Sequence, residues 1–118
     1  MEPPLEIIRT SIARADLLAI ASQQFGDMVK AVVDVDRRIM AISAELHADE
    51  EAALLEDGSR QAALWGINLY PNEPGDPFVE FDSMINVRPS QGNRSRTVEN
   101  DSLRQQIREI VRLLVRDA

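Results

Sequence analysis

Between residues 64 and 89 the chain reads L-W-G-I-N-L-Y-P, then N-E-P-G-D-P, then F-V-E-F-D-S-M-I-N-V-R-P. No other stretch limits the fold as strongly: it holds the only Trp, the only Tyr and two of the three Phe. Residues alternate faces along a strand, so each side can be read separately. The odd positions are Trp65, Ile67, Leu69, Val79, Phe81, Ile85 and Val87, a core face, while the even positions include Asn68, Tyr70, Glu80, Asp82, Asn86 and Arg88. The pattern predicts two strands of one sheet joined by a stiff Pro/Gly turn. Asn and Asp are disfavoured in strands, so Asn68, Asp82 and Asn86 run against local preference, as functional or strained positions tend to. A polar sheet face facing water needs no such purpose, and both readings stand at this point.

The rest of the chain supplies the partners of that sheet. Leu5 to Arg9, after two prolines, reads as a short edge strand. Thr10 and Ser11 offer an N-cap for a helix from about Ile12 to Phe25, stopped by Gly26. Met28 to Asp36 is Val-rich and strand-like, and Ile39 to Leu46 reads as its hairpin partner across a turn without Gly or Asn; one long helix over 39–55 is the alternative. Ala48 to Asp57 forms a short helix with acids in its first turn, closed by Gly58. The segment 89–97 is a loop without an apolar anchor, and Asn100, Asp101 or Ser102 caps a last helix reaching about Arg116. That helix buries Leu103, Ile107, Ile110, Val111 and Leu114 and repeats Arg104, Arg108, Arg112 and Arg116 along another face.

At 118 residues, 44% hydrophobic and 28% charged, the chain suits one folded domain over residues 1–118. The expected class is α+β: a mostly antiparallel sheet of about five strands with three helices on one face. With no cysteine there is no disulfide framework, thiolate zinc site or cysteine nucleophile, and a cytoplasmic location is expected. The N-terminus carries acid where a signal peptide carries base, and no segment approaches the roughly 20 apolar residues of a membrane span. The net charge is −7, split unevenly: sixteen acids and six bases lie in residues 1–82, four acids and seven bases in residues 83–118. An acidic body disfavours nucleic acid as a partner, whereas the basic C-terminal portion suits a local anion site.

Three groupings could carry chemistry. His47 with Asp49, Glu50 and Glu51, in E-L-H-A-D-E-E, offers an imidazole and carboxylates for a divalent metal, although the spacing matches no metal motif and also fits first-turn acids on a solvated face. The loop G-N-R-S-R after Arg88 places Asn93, Arg94, Ser95 and Arg96 ahead of a helix, where backbone N–H groups and arginine forks suit a phosphate or carboxylate. The arginine ladder of the last helix is either a solubilising face or a surface for nucleic acid or an acidic partner, and few aromatics accompany it for base stacking. No nucleophile elbow or dinucleotide fingerprint is present.

Together, E-L-H-A-D-E-E, D-G-S-R-Q, L-W-G-I-N-L-Y-P, I-N-V-R-P and G-N-R-S, in this order, resemble a family of small prokaryotic proteins of unknown function, over most of the chain from about Gly26 onward. The resemblance implies a single domain of prokaryotic, cytoplasmic origin and transfers no activity or site residue. The leading expectation is a noncatalytic binding module for a small anionic ligand or a protein partner, contacted by Asn68, Asn86, Arg88, Asn93, Arg94 and Arg96. A metal-assisted hydrolase or nuclease using His47 and Asp49 is the second class. A structural subunit of a homo-oligomer is the third.

Overall fold

A computed structural model describes residues 3–117, and the fold is α+β. Five strands form one antiparallel sheet: β1 (Glu6–Ile8), β3 (Val29–Asp34), β4 (Ile39–Ile42), β5 (Leu64–Leu69) and β6 (Val79–Glu80), in the order β1-β4-β3-β5-β6. Two short strands, β2 (Ile12–Ala13) and β7 (Val115–Arg116), pair in parallel apart from it. The helices are α1 (Arg14–Gln23), α2 (His47–Glu56) and α3 (Asp101–Leu114). No helix among the described residues is long and apolar enough to cross a membrane.

Strand alternation divides the core in two. Val29, Ala31, Val33, Met40, Ile42, Trp65, Ile67 and Leu69 face α1 and α3, meeting Leu17, Ala21, Ile107, Ile110, Val111 and Leu114. The other face buries Val32, Ile39, Ala41 and Leu64 under Leu54 of α2. The strand and helix numbers therefore follow the sequence pattern, but the helices do not share one face. The reason lies in β3 and β4, which are apolar on consecutive residues and so bury both sides, as central strands do.

The hairpin turn without glycine is built by Asp34, whose Oδ1 accepts the N–H groups of Asp36 and Arg37 at 2.8 and 2.9 Å. A carboxylate bonded to its own downstream backbone replaces the usual turn residue. The helix expected from Ile12 begins at Arg14, because Ile12 and Ala13 pair with Val115 and Arg116; the same pairing ends α3 at Leu114.

The largest departure is in the central stretch. β6 pairs with β5 over only two residues, Asn68 with Glu80 and Leu69 with Val79, and the chain then leaves the sheet. Met84–Asn86 is a 3-10 turn, with the Ser83 hydroxyl accepting the Ile85 N–H. Where the second strand was expected, the Asn86 side chain takes its place: Oδ1 accepts the Gly66 N–H at 2.8 Å and Nδ2 donates to the Gly66 carbonyl at 2.9 Å. One amide satisfies both backbone groups that a neighbouring strand would have met. Glycine is required opposite it, since a Cβ on Gly66 would lie 2.5 Å from the Ser83 Cβ.

Candidate functional site

Of the residues expected to receive an anion, Asn68, Asn86, Arg88, Asn93 and Arg96 bond through their side chains to the protein itself. Asn86 is fully buried, and Nδ2 also donates to the Arg96 carbonyl at 2.9 Å. Asn93 is buried and donates to the carbonyls of Asn86 and Thr97, both at 2.7 Å, while accepting the Glu99 N–H. The Arg88 guanidinium donates to the carbonyls of Ile85, Gln61 and Leu64 and stacks 4.6 Å from the Trp65 ring centre. Burial lowers its pKa below the usual value, with the Glu51 carboxylate, 3.8 Å away, acting in the opposite sense. These side chains close loop 83–99 upon the outer edge of β5.

The loop does cradle an anion, and the anion is its own. The Glu99 carboxylate accepts the Arg94 N–H, the Ser95 N–H and the Ser95 hydroxyl, at 2.8, 2.8 and 2.7 Å. These bonds, the hydroxyl's foremost, hold its pKa below the ordinary value. Arg96 is exposed and donates to Asp82 at 2.6 Å, and Arg94 is exposed.

The α2 start gathers a different set. His47 is buried, and its Nε2 donates to the Ile67 carbonyl at 2.8 Å, which fixes the tautomer with the proton on Nε2. Burial pushes its pKa below 6.5, opposed by that same bond. Glu50, one turn on, is fully buried; its Oε2 accepts the Ala44 N–H at 3.1 Å, and desolvation raises its pKa well above 4.5. The contact ties the first turn of α2 back to the chain that enters it, at a helix whose Leu46 cap has no side-chain acceptor. Asn68 lies buried on the same face, donating to Glu80 at 2.8 Å, and Tyr70 donates to the same carboxylate at 3.1 Å. Asp49 points to solvent, and among the described residues no group of three or more His, Asp or Glu could hold a metal ion.

A second group of basic side chains lies around a cleft of about 260 Å³ between α1, α3 and the turn before β6. Its floor is apolar: Phe78, Val79, Val111 and Val115. Its rim carries Arg14, Arg108 and Arg112 against Asp76 and Asp117. Arg14 stacks 4.1 Å from the Phe78 ring centre, donates from Nε to Asp117 at 2.7 Å and reaches the Pro71 carbonyl at 3.1 Å. Arg108 donates to the Asp76 carbonyl at 2.9 Å, stays 3.7 Å from its carboxylate and lies 5.0 Å from the Phe81 ring centre. Arg112 is exposed and makes no hydrogen bond or ion pair among the described residues. Helical spacing had placed Arg108 and Arg112 on one face. The approach of Arg14 was not legible, because the β2–β7 pair brings residues about one hundred positions apart into one cleft.

A family model described as "Protein of unknown function (DUF5674)" matches residues 6–114. No curated protein and no solved structure matches the chain.

Proposed function

We propose that this chain, which belongs to the DUF5674 family, is a noncatalytic binding module for a small anionic ligand, held in the arginine cleft between α1, α3 and the turn before β6. The observation that carries the reading is the Arg112 guanidinium, exposed beside Arg108 and Arg14 above an apolar floor with no partner among the described residues. Guanidinium forks match carboxylate and phosphate oxygens in geometry as well as charge, and a partly enclosed cleft strengthens such bonds relative to open water. The net charge of the five ionisable lining side chains is +1, on a protein whose total is −7. That local reversal of sign favours an anion here. The lack of cysteine fits a cytoplasmic setting for this role.

Calorimetric titration with acetate and with inorganic phosphate, at fixed ionic strength, tests the reading. Saturable binding of either anion that falls about tenfold in Arg112→Gln supports it. Equal binding by the variant, or none by the native chain, removes it.

A further inference from the structure

Resting on the anion-binding reading of the same cleft, we propose that its ligand is a small monocarboxylate with a short apolar body, whose charge position is contested by the chain's own Asp76 and Asp117. Four observations converge on this chemistry. The first is charge: three guanidinium groups face two carboxylates, which leaves room for one further negative charge. A phosphate dianion or a diphosphate would instead crowd against Asp76 and Asp117.

The second is size. At about 260 Å³ the cleft falls below the roughly 300–1,000 Å³ common for drug-sized ligands. The third is the floor. Phe78, Val79, Val111 and Val115 line the cleft beside the charged groups, so a ligand whose acid reaches Arg108 and Arg112 finds hydrocarbon for a short apolar body. An inorganic anion gains nothing from that surface, whereas each methylene buried there tightens binding by at most about fourfold.

The fourth is how the rim acids are held. The Asp117 side chain is 83% exposed yet lies 2.7 Å from Arg14, and Asp76 is 92% exposed with its carboxylate 3.7 Å from Arg108. Neither carboxylate is buried, so each can swing into solvent at little cost when another acid arrives. They neutralise arginines that would otherwise repel across the cleft, and they set a threshold that an incoming carboxylate must exceed.

Amide and arginine Nε–H spectra of the full chain, recorded with hexanoate, acetate and inorganic phosphate at fixed ionic strength, decide the matter. The expected result is saturable shifts at Val111, Val115 and Arg112 with hexanoate, at an affinity about tenfold or more above acetate. Asp117→Asn, which removes an exposed competitor, tightens both acids by about two- to fivefold, while Arg112→Gln weakens both. If phosphate occupies the cleft as tightly as hexanoate, or hexanoate binds no better than acetate or shifts residues away from the cleft, the carboxylate inference is wrong and the broader anion reading survives. If none of the three anions binds, both fall together.

Discussion

Loop 83–99 and the cleft-facing side of α3 carry similar residues under opposite conditions. In the loop, Arg88 sits with its side chain 10% exposed and donates to three backbone carbonyls. On α3, Arg112 is exposed and joined to nothing among the described residues. The difference follows from what surrounds each. Loop 83–99 has no regular ladder, so its carbonyls and those at the edge of β5 must find donors, and the nearby Asn and Arg side chains supply them. Helix α3 satisfies its own backbone, and although Arg104 and Arg108 reach carbonyls of neighbouring segments, Arg112 is left available. A basic loop is thus a poor guide to a ligand site when the loop has its own carbonyls to satisfy.

The comparison breaks first if Asn86 is dispensable. Asn86→Ala leaves the Gly66 N–H and the Gly66 carbonyl without a partner and removes one of the two donors to the Arg96 carbonyl, the other being the Ser83 N–H. We expect a loss of about 3–5 kcal/mol in urea unfolding, and a loss under about 1 kcal/mol contradicts the strand-replacing role. Arg88→Met, which keeps the stem over Trp65 but removes the donors, should cost about 2–4 kcal/mol by the same measurement. Gly66→Ala should cost about 1–3 kcal/mol through its collision with Ser83.

Acids sharpen the same contrast between burial and availability. Asp57, exposed between Arg9 and Arg37, has its pKa lowered to about 2 by hydrogen bonds to both. Glu50 is buried and its pKa is raised. Above pH 4.5, its ordinary value, the unfolded chain releases the Glu50 proton while the native chain keeps it, so this group lowers stability as pH rises toward its native pKa. Glu50→Gln keeps an acceptor for the Ala44 N–H and cannot ionise. Its melting temperature should exceed that of the native protein at pH 7, with the gap closing toward pH 4; a gap that stays constant with pH would show that Glu50 does not titrate this way. The smallest effect belongs to α3: Arg112→Gln should leave unfolding within about 0.5 kcal/mol while weakening anion binding.

Much of the fold was legible because period-2 and helical patterns record burial directly. Val29 to Asp34, Leu64 to Leu69 and the stripe Ile107, Ile110, Val111 and Leu114 lie where their spacing put them. The segment 81–87 misled because its apolar residues alternate like a strand, although Asp82 and Asn86 already argued against one. Their poor strand preference marked the segment as irregular, and the pairing of the Asn86 side chain with Gly66 appears only in the structure. The partners of His47 and Asn68, the Ile67 carbonyl and Glu80, were not legible, because they depend on how α2 and β6 dock. The cleft was half visible: Arg108 and Arg112 follow from helix spacing, but Arg14 and Phe78 join them only through tertiary packing.

One experiment compares the two basic regions directly: arginine Nε–H and asparagine side-chain amide spectra, followed during a titration with a small carboxylate at fixed ionic strength. The account predicts saturable shifts at Arg14, Arg108 and Arg112, with the signals of Arg88, Asn86 and Asn93 unmoved and slow to exchange with solvent. Shifts at Arg88, Asn86 and Asn93 with a silent cleft would contradict it and return the site to the loop.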